Sequence, residues 1–253
     1  MDELSSTDIF SLNGKTILVT GASSGIGAAT AALCSRLGAK LVINGRDEDR
    51  LNSTYHSLEG EGHIAVAGDL TDTKTHDALL GAAEKYNGLV SSAGIAALVP
   101  FRMATEQHLQ KLLSVNYMAP MTLVQRLLYK RKLQEGSSLV FISALAARAA
   151  PQAAAGYAAS KAALEAAVRT LALEHAKQRI RANCIVPSYV DTPMLEKLVS
   201  TADMDGRTKS TPLGNITADD IAKGAIYLLS EASRWVTRST LTIDGGVSLP
   251  IRL

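Results

Sequence analysis

Thr16-Ile17-Leu18-Val19-Thr20-Gly21-Ala22-Ser23-Ser24-Gly25-Ile26-Gly27 changes character midway. Its first four residues, opened by Gly14-Lys15, are an apolar run that reads as a short buried strand. Its last seven hold three glycines at Gly-xxx-Gly-x-Gly spacing, not the more widely quoted G-x-G-x-x-G. Ala28-Ala29-Thr30-Ala31-Ala32-Leu33-Cys34-Ser35-Arg36-Leu37 then reads as a helix that stops at Gly38. Strand, glycine turn and helix together make a phosphate-binding arrangement. Glycines let the backbone approach a pyrophosphate, and the helix N-terminus offers unpaired N–H groups and the positive end of its dipole.

Further along, apolar β-like runs alternate with helical patterns. Strands are expected at 16–19, 40–44, 63–67, 88–90, 138–142, 181–186 and 240–243, and long helices at 106–132 and 153–176. Such alternation implies right-handed crossovers and a doubly wound parallel sheet with helices on both faces. Ligands on such α/β sheets sit beyond the carboxyl ends of the strands. No internal repeat, linker or low-complexity segment divides residues 1–253, so one domain is expected, with 1–11 as an N-terminal extension.

A second signature lies past mid-chain, in Gly156-Tyr157-Ala158-Ala159-Ser160-Lys161-Ala162-Ala163. The run is Ala-rich and should be helical. Tyr157 and Lys161 then share one helix face, about a turn apart. An ammonium beside a phenol favours phenolate, which predicts a Tyr157 pKa below its usual value of about 10 and proton exchange near neutral pH.

With both signatures in this order, the chain resembles the short-chain dehydrogenase/reductase family, and it does so over about residues 12–246. Within that family its pattern is most like the 3-oxoacyl carrier-protein reductase branch. Asp69-Leu70 stands where the family meets adenine, and Ser91-Ser92-Ala93-Gly94 where Asn-Asn-Ala-Gly is usual. Val115-Asn116 matches the helix asparagine, Pro187 opens the proline-glycine segment and Asp244-Gly245-Gly246 matches the C-terminal turn. The connection at 84–88 is shorter than is usual.

The resemblance implies a Rossmann-type fold and a nicotinamide cofactor. Gly21, Ser23, Ser24, Gly25, Ile26 and Gly27 would cradle it, with Asp69, Leu70, Ser92, Ala93 and Gly94 along its adenosine side. Pro187, Val190 and Thr192 would lie at the carboxamide, where Thr192 has the alternative role of capping a helix before Pro193. Tyr157 would be the general acid, Lys161 would tune it and hold the nicotinamide ribose, and Asn116 would anchor a water in a proton relay. Asn116 also has a plain alternative as a helix-packing polar residue. The carbonyl-polarising serine is assigned to Ser143, although an ungapped comparison puts Ala144 at that position. No metal enters this reading.

Cofactor choice turns on the end of the second strand. The family's acidic residue for the ribose hydroxyls is missing at Gly45, and Arg46 follows it. A guanidinium clamps a phosphate well, so NADPH (NADP+) is expected ahead of NADH. The alternative is local pairing of Arg46 with Asp47, Glu48 or Asp49.

Composition narrows the remaining classes. The chain has 253 residues, a net charge of +2 and no long basic run, which argues against nucleic acid. Lys130-Arg131-Lys132 reads as favourable charge at a helix C-terminus, with docking of an acyl carrier protein as the functional alternative. No export signal and no membrane span are visible, and Cys34 and Cys184 sit in apolar contexts, so a cytoplasmic protein is expected. Segment 194–212, with Gly206 near its centre, reads as a mobile lid over a partly apolar substrate. With only 4% aromatics, an aliphatic ketone such as a 3-oxoacyl thioester is expected over a steroid. Oxidation of a sugar, polyol or other secondary alcohol is the alternative, and a cofactor-binding regulator is a third. Ala154, Ala158, Ala162 and Ala166 recur at helical spacing, small enough for close helix approach, and a homotetramer is expected.

Overall fold

The computed structural model describes residues 8–199 and 211–248. Six strands come first, β1 (Thr16–Thr20), β2 (Lys40–Gly45), β3 (Ile64–Ala67), β4 (Tyr86–Ser91), β5 (Leu133–Ile142) and β6 (Arg181–Pro187). A short pair, β7 (Val190–Asp191) and β8 (Ile216–Thr217), stands apart, and β9 (Thr240–Ile243) completes the main sheet. That seven-stranded sheet runs β3-β2-β1-β4-β5-β6-β9, and every neighbouring pair is parallel. Chain order reverses between β1 and β4, so the crevice beyond their carboxyl ends is the expected ligand position.

The helices are α1 (Gly25–Arg36), α2 (Glu48–His56), α3 (Thr73–Gly81), α4 (Glu106–Leu113), α5 (Ala119–Tyr129), α6 (Ala146–Ala149), α7 (Ala155–Glu174), α8 (Pro193–Val199) and α9 (Ala218–Leu229). Strand side chains alternate between faces, and β1 shows the consequence. Ile17 and Val19 join a core with Ala31 and Cys34 of α1 and Ile221 and Ala225 of α9. Leu18 faces the opposite core, with Leu79 of α3, Leu123 and Leu127 of α5 and Leu164 and Val168 of α7. A strand buried on both sides has no polar face to show, which explains the continuous apolar runs. Cys34 and Cys184 are buried and unpaired, and burial pushes both thiols up to about 12.

The long helix expected at 106–132 is instead two helices joined by a π-helical turn at Ser114–Met118. Pro120 supplies the reason, because it has no N–H to give to the carbonyl of Asn116 four residues back. A local widening of the helix is the usual outcome, and it occurs often at functional sites. Helix α5 ends at Tyr129, where Arg131 turns left-handed (φ 54°) and the Lys132 amide donates to Leu127 O at 2.7 Å. Of the basic run, Lys132 Nζ donates to Ala83 O at 3.0 Å and Lys130 lies over the Tyr129 ring. β5 begins at Leu133, earlier than expected, and its extra residues loop out between the Tyr86–Leu133 and Gly88–Ser138 pairs. The Ala-rich segment after β5 holds a helical turn, α6, that periodicity did not reveal. Of the alanine stripe, Ala154 and Ala158 are buried, whereas Ala162 and Ala166 are exposed.

Arg238, just before β9, takes a left-handed φ of 59°. Its amide must sit there to reach Ala182 O at 2.8 Å. Side chains in this region cost about 1 kcal/mol relative to glycine. Arg238→Gly is therefore expected to raise stability by about 1 kcal/mol, less glycine's own entropy cost. Urea denaturation of the two proteins checks it.

Candidate active site

The glycine turn and the β4 end pack against each other. Gly21 has φ +71°, and a Cβ there would lie 2.6 Å from the Ala93 amide nitrogen. A Cβ on Gly27 would meet Gly21 O at 2.2 Å, so only glycine allows α1 to start this close to the turn. Gly25 is also left-handed, at φ +53°. Ser92 N donates to Thr20 O (3.2 Å) and Ala93 N to Thr20 Oγ1 (3.4 Å), so β4 is tied to β1 without the usual asparagines. Helices α2, α3 and α4 each begin with a side-chain cap from Asp47, Asp72 and Thr105. Ser24 makes no such bond, and the first turn of α1 carries no acid. Its N–H groups and dipole end are left to an outside anion.

A cavity of about 1150 Å³ opens on this turn and runs to α8. Its wall includes Gly21, Ser23, Ser24, Gly25, Ile26, Arg46, Asp69, Leu70, Ser92, Ala93, Gly94, Pro187, Val190 and Thr192, together with Tyr157, Lys161 and Ser143. Gly27 and Asn116 are not on the wall. Gly27 acts from behind, by letting the turn close, and Asn116 is buried beneath.

At one end, Asp47 caps α2 and pairs with Arg50 at 2.8 Å. The local partner of Asp47 is thus Arg50. Arg46 reaches instead across to Asp69, at 3.8 Å, from an exposed position to a half-buried one. A Cβ on Gly45 would lie 2.8 Å from Ser23 Cβ, so an acidic side chain there could fit only if the glycine turn moved. Asn44 was not picked out from the sequence. Buried at the end of β2, its amide donates to Val66 O (2.9 Å) and Gly68 O (3.2 Å), holding β3 beside the cavity. A polar residue closing an apolar strand was its signal.

At the other end, Lys161 is buried, and its Nζ donates to Ile142 O at 2.8 Å. Burial lowers its pKa to about 8. Tyr157 is half-buried, and burial raises its pKa to about 12. The lowered phenol pKa expected from the Lys161 charge is therefore absent here. The ammonium is held by the Ile142 carbonyl, and no hydrogen bond joins the two side chains among the described residues. Asn116, in the π-helical turn, donates from Nδ2 to Ile95 O (2.9 Å) and Ser160 Oγ (3.0 Å), and its Oδ1 accepts from Ile95 N (2.8 Å). It fixes the irregular segment following Gly94. A Cβ on Gly94 would be 3.1 Å from Asn116 Oδ1 and 3.5 Å from Lys161 Nζ, which places the three residues together.

Ser143 is buried, and its hydroxyl donates to Glu165 Oε1 of α7 at 2.7 Å. The proton expected to polarise a substrate carbonyl is engaged by that carboxylate. Ala144 beside it lines the cavity. Pro187 O accepts from Leu145 N at 2.8 Å, which fixes the loop carrying both. Thr192 Oγ1 accepts from Leu195 N at 3.4 Å, so it does start α8. Met194, Leu195 and Leu198 of α8 close the cavity wall, and the rest of the expected lid, 200–210 with Gly206, lies outside the described residues.

The cradle, the uncapped α1 terminus and the length of the cavity fit a dinucleotide, and known proteins agree. A family model described as enoyl-(acyl carrier protein) reductase matches residues 21–248. The chain is 30% identical to the 3-oxoacyl-[acyl-carrier-protein] reductase FabG of Rickettsia prowazekii (strain Madrid E), over 93% of this chain and 98% of the relative. It is 31% identical to the 5-keto-D-gluconate 5-reductase of Escherichia coli (strain K12), over 96% and 99%. A solved putative NAD(P)-dependent gluconate 5-dehydrogenase from Beutenbergia cavernae, with bound NADP at low occupancy, superposes with a TM-score of 0.84 at 30% identity. That match covers 94% of this chain and 98% of the solved one. The chain belongs to the short-chain dehydrogenase/reductase family and is an NAD(P)-dependent oxidoreductase of CH–OH and C=O groups.

Proposed function

We propose that this protein reduces a small ketone to a secondary alcohol with NADPH, Tyr157 serving as the general acid. The observation that carries this reading is one continuous cavity with Arg46 and the glycine turn at one end and Tyr157 and Lys161 at the other. Held by the glycine turn, a nicotinamide cofactor would supply the hydride for the carbonyl carbon. Tyr157 gives its phenolic proton to the carbonyl oxygen as negative charge builds there. At neutral pH its raised pKa keeps that proton in place, and Lys161, at about 8, is mostly ammonium. A pair loaded with protons favours reduction over alcohol oxidation. Lys161 holds the ribose hydroxyls and returns a proton toward Tyr157, with Asn116 anchoring the water that feeds it. Val190 and Thr192 orient the carboxamide.

Arg46 reads the 2′-phosphate, because no acid stands at Gly45 and its weak contact to Asp69 leaves it available. Arg46→Ala is expected to lower the NADPH-over-NADH ratio of kcat/KM by about tenfold or more, a charge-assisted bond being worth roughly 1.5–3 kcal/mol. An unchanged ratio returns Arg46 to a surface role.

The Ser143 hydroxyl is engaged by Glu165, and its neighbour Ala144 on the cavity wall carries no hydroxyl for the carbonyl. Ala144→Ser would add one, and an increase in kcat of about tenfold is expected, below the ~100–1,000-fold value of an optimally placed oxyanion donor. No increase points to another polarising group.

Substrate class follows the relatives, a 3-oxoacyl thioester or a keto-sugar acid, with sugar or polyol oxidation as the second reading. A homotetramer fits the exposed apolar residues Met118 and Leu173 and the exposed small residues Ala162 and Ala166. The test is NADPH consumption with acetoacetyl thioester, diketones and keto-sugars. NADPH binding without turnover on any of them would favour a regulator.

A further inference from the structure

The charged side chains on the cavity wall fall, among the described residues, into two groups. Arg46, Asp47, Arg50 and Asp69 are at the adenosine end, and Lys161 and Arg148 are at the other. Lys161 is buried with its ammonium on Ile142 O. Arg148 is different. It sits on α6, just past Ala144, and its side chain is 48% exposed.

What holds it is unusual for a surface arginine. Glu165, on α7 one turn after Lys161, is buried. Its Oε1 accepts the Ser143 hydroxyl at 2.7 Å, and its Oε2 accepts Arg148 Nη2 at 3.3 Å. A buried carboxylate is costly unless paired and hydrogen-bonded, so Ser143 and Arg148 together are what make Glu165 tolerable. In return Glu165 fixes the guanidinium at the cavity wall through a single nitrogen. The remaining N–H donors of Arg148 have no hydrogen-bond partner among the described residues. A planar fork with one edge anchored and the other open to the cavity suits a carboxylate, which it can bind through two parallel bonds.

Resting on the ketone-reductase reading above, we propose that Arg148 binds a carboxylate on the substrate, so that the preferred ketones are keto acids and Arg148 is the specificity-determining residue. The Ser143–Glu165–Arg148 chain then has a purpose separate from proton transfer. Its loop carries the anion-binding group, and Glu165 sets that group's reach from the reacting carbonyl.

The test is calorimetric titration of the protein mixed with NADP+, using straight-chain keto acids of graded length and their methyl esters. At least one acid is expected to bind about tenfold or more tightly than its own ester, the scale of a charge-assisted bond. Arg148→Gln should bring that acid-to-ester ratio close to one, and Arg148→Lys should keep part of it. Esters binding the wild type as tightly as the acids overturn the proposal, and so does an unchanged ratio in Arg148→Gln. Should that variant fail to fold, the double variant Arg148→Gln with Glu165→Gln leaves no unpaired buried charge and reads the same ratio. Acids that bind through Arg148 but accept no hydride from NADPH would leave the anion site standing and remove the reductase reading.

Discussion

Tyr157→Phe is expected to lower kcat/KM for the proposed ketone reduction by about 10³-fold, the middle of the range for a positioned general acid. The phenol is the acid best placed in the cavity, and phenylalanine keeps its ring, so packing around α7 is preserved. NADPH binding, read by fluorescence, survives because the glycine turn and Arg46 are untouched. A smaller loss, under about tenfold, would mean that solvent or another side chain delivers the proton. Steady-state rates across the pH range add a second reading. If the bound state kept the pKa of about 12, reduction would hold its acid through the neutral range.

Lys161→Met gives the second large effect, on stability as well as on turnover. Lys161 has a folded pKa of about 8 against an ordinary 10.5, because burial disfavours its charge. Between those values the unfolded chain binds more protons, so wild-type stability rises with pH across the window. Below about 8 the full cost of burying the ammonium is present, about 3 kcal/mol at 1.36 kcal/mol per unit. Methionine removes that cost but leaves Ile142 O without its donor, a loss of about 1–2 kcal/mol. The variant is therefore expected to be more stable than wild type by about 2 kcal/mol at pH 7. The gain should shrink as pH rises above about 8 and have reversed by 10.5, while turnover is lost throughout. Urea denaturation at both pH values checks the crossing, and a pH-independent difference would mean that Lys161 keeps its ordinary pKa in the fold.

Much of the fold was legible in the sequence because a parallel sheet buries its strands on both faces. Seven apolar runs separated by helical patterns therefore marked all seven strands of the main sheet to within a few residues. The two-residue strands Val190–Asp191 and Ile216–Thr217 were missed because they are too short to carry a period. The break in the 106–132 helix was missed because apolar spacing continues across it. Pro120 was the signal, and its effect falls on the backbone, not on the side-chain pattern.

The site was legible where chemistry depends on residue type and order, as at Gly21, Gly27, Tyr157 and Lys161. It was hidden where function depends on which way a side chain turns. Ser143 and Glu165 meet only because β5 and α7 pack side by side, and no spacing rule links them. The Tyr157 pKa was misjudged for a related reason. Proximity along the helix anticipated the Lys161 charge, but the desolvation that dominates belongs to the assembled core. Arg46 was read with two partners in view, and the structure gave the local one, Asp47, to Arg50.

The most direct test is transfer of deuterium from NADPH fully deuterated at the nicotinamide C4, using the best ketone substrate and reading the mass of the alcohol product. A deuterium on the former carbonyl carbon with wild type, and labelled alcohol formed about 10³-fold more slowly with Tyr157→Phe, is the expected result. Product without the label, or equal labelled product from Tyr157→Phe, would contradict a Tyr157-dependent hydride transfer.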